Sequence, residues 1–201
     1  MSKIKISLLS IIWFGFLIYS GTPHLFPMLC AVGLHELGHL AVAGLLKIKI
    51  KRFSLFLLGA RMESAETLSY TDELLFALGG PLFGFLGYSF TISRALKNIS
   101  HSFCEDFLLP FSIISLCLTV FNLLPLETLD GGRIFKCLIC KIFTLEVADK
   151  IIAVASFLSL FCLWLFSVYL VIKIAEGLGL LVFCLFFFAK CFVFKKKNRD
   201  F

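Results

Sequence analysis

The chain has 201 residues, of which 60% are hydrophobic and 25 are phenylalanine, against an apolar share of ~45–50% in ordinary soluble domains; this composition excludes a water-soluble globular protein and predicts an integral membrane protein. The formal charge of +6 gathers on one side of the predicted spans, so it reports topology and attraction to anionic lipid headgroups, and no nucleic-acid partner is needed to explain it. Eight cysteines are scattered, all but Cys104 within predicted spans or on the side assigned to the cytoplasm, which argues for reduced packing thiols rather than a disulfide framework.

Six apolar runs, at residues 4–20, 25–46, 74–92, 107–126, 151–172 and 177–194, each approach the ~17–25 residues that cross a bilayer. They predict an all-α polytopic membrane protein of six transmembrane helices forming a single membrane-embedded domain over residues 1–201. A signal peptide is the other reading of the first run, with Lys3 and Lys5 as its basic region. Tyr19-Ser20-Gly21-Thr22 is a poor small-residue cleavage site, however, and spans follow at once. With the N-terminus cytoplasmic, every lysine and arginine except Arg94, Lys97 and Lys173 falls on the cytoplasmic side. The expected place is the cell membrane, multi-pass, with both termini cytoplasmic.

The second run carries Gly33-Leu34-His35-Glu36-Leu37-Gly38-His39-Leu40. Four residues along a helix advance ~6 Å and return to nearly the same face, so His35 and His39 stand one above the other at the spacing a single metal ion needs. Glu36 lies ~100° round the helix, close enough to reach a water at the metal without ligating it. Zinc with two imidazoles, a further ligand and an open position lowers the pKa of its water to ~7, and a neighbouring carboxylate then serves as general base. In a soluble helix the same residues would be a polar face with a satisfied histidine. Here apolar residues flank them on both sides, and ionisable groups at membrane depth face a partner, a metal or a water-filled cavity. His39 precedes Lys47 by eight residues, ~12 Å of helix, so the centre is expected nearer the cytoplasmic face and open to it.

Lys47-Ile48-Lys49-Ile50-Lys51 alternates with period two, and residues 53–58 continue as β-prone positions before Gly59-Ala60-Arg61. This predicts a short membrane-surface β-strand or hairpin between the second and third spans, whose edge an extended peptide could join. In the third span Gly80 and Gly84 make a small-xxx-small face for close approach of another helix. At the inner end of the fourth come Asn122, Pro125, Glu127 and then Asp130-Gly131-Gly132. Pro125 disturbs the helix, and the two glycines are expected to turn the backbone sharply after Asp130. Asp130 is then either the third metal ligand or a loop aspartate capping the next helix. Cys137 and Cys140 form a Cys-x-x-Cys pair that could bind a second zinc or do redox chemistry, a weak signal without another such pair.

Two separated motifs, His35-Glu36-Leu37-Gly38-His39 and Asn122-x-x-Pro125 followed by Leu129-Asp130-Gly131-Gly132, together resemble the site-2 protease family of intramembrane zinc metalloproteases. The likeness covers about residues 30–133 and includes Gly79-Gly80-Pro81. The resemblance implies His35, His39 and Asp130 as ligands of one catalytic Zn2+, Glu36 as base and Asn122 as the group that holds substrate or stabilises the transition state. It implies a catalytic core at about 25–133, with the runs at 4–20, 151–172 and 177–194 as additions. Six spans, a cytoplasm-facing site and no PDZ insertion look most like the branch of stage IV sporulation protein FB, whose implied substrate is a sigma-factor precursor or an anti-sigma factor. Gly84 stands where many relatives carry Asn, and Glu127-Thr128 where they often carry proline or apolar residues, so Glu127 competes as a ligand.

The activity implied is hydrolysis of a peptide bond in or beside a transmembrane segment of another membrane protein, with regulatory membrane proteins as further partners. Two other classes remain: a membrane zinc transporter, in which the same three ligands form a transit site, and a non-catalytic protein that retains membrane partners. Neither has a use for Glu36 as a base.

Overall fold

A computed structural model of the protein describes residues 3–6, 24–56, 59–64, 68–97 and 104–174, with positions 181, 184, 185 and 188. In order these form β1 (Lys3–Ile6), α1 (Leu25–Leu45), β2 (Ile50–Phe56), β3 (Gly59–Ser64), α2 (Tyr70–Lys97), a π-helical turn (Cys104–Leu108), α3 (Leu109–Asn122), α4 (Asp130–Cys140) and α5 (Leu145–Ile174). Among the described residues four helices are long and apolar enough to cross a membrane: Leu25–Leu45, Tyr70–Lys97, Glu105–Asn122 and Leu145–Lys173. They correspond to the expected second to fifth spans. The expected first span beyond residue 6, and with it the signal-peptide reading, and nearly all of the sixth span lie outside the described residues. The chain divides into two compact units, Met1–Asn122 and Leu123–Phe201.

In the first unit α1 packs on α2, and both pack on α3. Its 21 residues make a rod of ~32 Å, close to the hydrocarbon thickness of a bilayer. Pro27 is tolerated in its first turn, where the backbone N–H groups have no helical partner in any case. At the other end Lys47 adopts a left-handed φ of 55°, its N–H donates to the Gly44 carbonyl at 3.2 Å, and Ile48 N–H reaches the Ala43 carbonyl at 2.8 Å. This is a Schellman stop, and it turns Ile48 back onto Ala43 and Phe76.

The chain then runs through β2 and β3, antiparallel with Phe53 opposite Met62 and Leu55 opposite Ala60, a bulge interrupting the register between Ile50 and Arg52. On the other side of β2, β1 runs parallel, Lys3 opposite Arg52 and Ile6 opposite Leu55. The sheet order is β1-β2-β3. This corrects the first expected span, which cannot begin as a helix at Ile4. Lys3-Ile4-Lys5-Ile6 alternates with period two just as Lys47–Lys51 does, and that alternation suits a half-buried strand.

Large apolar side chains point outward from these helices: Leu37, Leu82, Phe85, Leu86 and Phe90 are all more than half exposed. Small or polar residues face inward, with Ala31, Ala43, Ala77, Ser112, Ser115 and Thr119 all buried. That arrangement inverts a soluble protein and suits helices whose outer surface meets lipid.

In the second unit the short helix α4 packs on α5, with Leu126, Leu129, Ile134, Ala148 and Ile152 buried. Lys136 of α4 pairs with Asp149 of α5 at 2.6 Å. Burial works against the Lys136 ammonium, but its hydrogen bond and charge pairing with Asp149 outweigh this and raise its pKa above the ordinary 10.5.

Candidate metal centre

His35 and His39 occupy the buried face of α1, 4% and 5% exposed. Their Nε2 atoms stand 3.3 Å apart, with the rings edge to face at an interplanar angle of 80°. Two nitrogens each ~2.0–2.1 Å from a tetrahedral zinc ion lie ~3.3 Å from one another, so the pair already has the separation that one shared ion would impose. His39 Nδ1 donates to the backbone carbonyl of Phe76 at 2.8 Å. A carbonyl can only accept, so the proton sits on Nδ1 and the Nε2 lone pair is turned toward His35. Metal-binding imidazoles are commonly oriented by a second hydrogen bond of this kind.

The opposite wall is Gly80 of α2. A Cβ built there would fall on His39 Nε2 and lie 2.6 Å from His35 Nε2; glycine leaves open the space beside both Nε2 atoms. Beside it, at the adjacent residue of each helix, Gly38 of α1 and Gly79 of α2 are in backbone contact, where a Cβ on Gly79 would lie 3.0 Å from the Gly38 carbonyl carbon. The imidazole pair therefore owes its placement to a glycine-lined helix crossing. Gly84 does not join Gly80 in one packing face as expected. It faces α3, where a Cβ would strike Thr119 Oγ1, while Gly87 faces Leu34 and Phe111. Four residues turn a helix ~40° past one revolution, enough to hand the glycine stripe from one neighbour to the next.

Glu36 follows His35 and is half-buried. Asn122 is the last residue of α3, and its Nδ2 donates to the Leu118 carbonyl at 3.0 Å. The NH2 group carries two hydrogens, so this bond anchors the amide and leaves the other hydrogen to address a second acceptor.

In the second unit Asp130 is 8% exposed and is the first residue of α4, following the extended N-cap Leu129. A carboxylate there lies at the positive end of the helix dipole. The expected sharp turn after Asp130 is not what the glycines provide, since Gly131 and Gly132 are both helical. A Cβ on Gly131 would strike the Leu123 and Leu124 carbonyl oxygens, and one on Gly132 the Leu126 oxygen. Glycine is needed for close approach: the segment before Asp130 folds back over the first turn of α4.

His35, His39 and Asp130 make up a possible metal-ligand set, each offering one ligand atom from a buried side chain. No such grouping among the described residues includes Glu127, Cys137 or Cys140. The Phe76 carbonyl and the Gly38–Gly79 contact were not foreseen. A backbone acceptor leaves no trace in side-chain patterns, but Gly38 lies inside the histidine motif and Gly79 in Gly79-Gly80-Pro81, and their lack of Cβ was the available signal.

Comparison with known proteins bears on the whole arrangement. Residues 60–166 match the model of Peptidase family M50. The chain is 32% identical over 128 residues to the zinc metalloprotease MJ0392 of Methanocaldococcus jannaschii, a match covering 61% of this chain and 36% of that protein. The matched stretch thus spans about a third of that relative's length. Among solved structures it resembles the site-2 protease from Methanocaldococcus jannaschii, with a TM-score of 0.68 and 25% identity over 94% of this chain and 88% of the other.

Proposed function

The chain belongs to peptidase family M50, and from that premise we propose that it is an intramembrane zinc metalloprotease, hydrolysing a peptide bond in or next to a transmembrane segment of another membrane protein. The observation that carries the reading is the imidazole pair, buried, 3.3 Å apart at Nε2, locked by the Phe76 carbonyl and facing the notch at Gly80.

In this reading His35, His39 and Asp130 hold one zinc ion, and the two compact units act as one protease domain. Zinc bound there supplies Lewis-acid polarisation of the scissile carbonyl and acidifies a water. Glu36 takes the proton of the attacking water on a carboxylate oxygen and delivers it to the leaving amine. Asn122 directs an amide hydrogen toward the developing oxyanion. A helical substrate must first unwind, because its carbonyls are hydrogen-bonded and shielded in lipid, and the edges of the β1–β3 sheet offer replacement backbone bonds.

The finer placement follows the sequence: six spans, both termini and the opening of the site cytoplasmic, and the sheet at the membrane surface. Within the family the branch is that of stage IV sporulation protein FB, with a sigma-factor precursor or anti-sigma factor as substrate. Support for it is the count of six apolar runs without a PDZ insertion.

The test is Glu36→Gln in the full chain, co-expressed with a membrane substrate. The expected result is normal zinc content and loss of cleavage. Undiminished cleavage refutes the assignment, and zinc flux into proteoliposomes that survives Glu36→Gln would point to a transporter.

A further inference from the structure

Ser156 lies in the middle of α5, outside both motifs, and is 1% exposed. Its Oγ accepts the Glu127 backbone N–H at 3.0 Å and donates to the Pro125 carbonyl at 3.1 Å. Both partners belong to the irregular segment 123–129 that ends where Asp130 begins. Two short local bonds shape that segment, Leu126 N–H to the Leu124 carbonyl at 2.7 Å and Leu129 N–H to the Leu126 carbonyl at 2.9 Å. On one side the glycines of α4 receive its carbonyls. On the other, one hydroxyl satisfies both a donor and an acceptor that no helix or strand takes up, at a place where leaving either unmet is costly. Leu126, between the two bonded residues, is fully enclosed at 0% exposure.

We propose that Ser156 is a positioning residue of the metal centre: its hydroxyl clamps residues 125–127 to α5 and so fixes the carboxylate that opens α4. The inference rests on the reading of Asp130 as a zinc ligand. Removing the hydroxyl frees an N–H and a carbonyl three and five residues before Asp130, and the segment can recover them only by moving. Groups that orient ligands in this indirect way are worth about 10–100-fold in metal affinity.

The experiment uses the full chain in lipid nanodiscs, with zinc affinity read by chelator competition, the visible spectrum of the Co2+-loaded protein, and kcat and KM on a co-reconstituted membrane substrate. Ser156→Ala is expected to bind zinc about 10–100-fold more weakly, to alter the Co2+ spectrum and to lower kcat at unchanged KM. Ser167→Ala makes the same change at a buried position of the same helix and is expected to do none of these. Equal zinc affinity and equal spectra in the two variants overturn the proposal. If Ser156→Ala does not fold, Ser156→Cys takes its place, keeping the unbranched shape at a slightly larger volume while weakening both bonds, and wild-type zinc affinity in it overturns the proposal equally. A wild-type chain that binds no zinc defeats the reading of the centre, and Ser156 with it; a zinc-binding wild type with an indifferent Ser156 defeats the clamp alone.

Discussion

Gly38 and Gly79 form the point at which α1 and α2 touch backbone to backbone. A Cβ on Gly38 would overlap the Gly79 carbonyl and lie 2.8 Å from Phe83 Cβ, and neither of those atoms is the mobile end of a side chain. Helices in lipid gain little from burying apolar surface against each other and rely on this kind of close fit.

Gly38→Ala should therefore destabilise the protein by about 3 kcal/mol, the upper part of the usual overpacking range, and weaken zinc binding by displacing His39 on the adjacent position. Gly33→Ala on the same helix, where nothing lies within 4 Å of the added Cβ, should be stabilising by up to about 1 kcal/mol. Thermal unfolding of the two variants in one detergent checks the contrast.

Gly80→Ala separates the centre from the fold. The methyl falls between the two Nε2 atoms, so zinc stoichiometry should drop to near zero while helical circular dichroism stays close to wild type. Full zinc occupancy in this variant contradicts the placement of the ion between His35 and His39.

Removal of the metal should stop cleavage without unfolding the helices, because the α1–α2 crossing is made by backbone contact. Chelation followed by zinc addition restores activity, and the melting temperature rises with zinc concentration, by about 2.7 kcal/mol of stability at 100 times the dissociation constant. A chain that loses its helical content on chelation contradicts this.

Lys47→Gly should raise stability by about 1 kcal/mol, since a left-handed φ of 55° costs a side-chain-bearing residue roughly that much and glycine little. Thermal or SDS unfolding measures it. A fall in stability means that the Lys47 side chain contributes more than the backbone strain removes.

Asn122→Ala should lower kcat by about 10²–10³, the usual loss on deleting one oxyanion donor, with zinc content unchanged. Loss of zinc instead would assign Asn122 to the support of the ligands.

The helix that carries the imidazole pair was legible because a single spacing, four residues on an α-helix, decides whether two imidazoles can meet, and the bilayer sets the helix length. α4 was not legible: Asp130-Gly131-Gly132 reads locally as a turn, and only the carbonyls of Leu123, Leu124 and Leu126 show that the glycines sit inside a helix for want of room. Residues 4–6 of β1 were absorbed into the first span because the alternation that begins at Lys3 is only four residues long, and its partner, Arg52–Leu55, lies almost fifty positions away. Ser156 carried no signal at all. One serine in a long apolar helix resembles any other until the chain folds back upon it.

The exchange of small and polar residues inside for leucine and phenylalanine outside has a practical corollary. Urea and guanidinium act mainly on apolar and peptide groups newly offered to water, and this protein has few such groups to offer from between its helices. Its stability should respond weakly to either chaotrope and strongly to the chain length and headgroup of the surrounding amphiphile, so SDS titration in mixed micelles is the fitting scale on which to rank its variants.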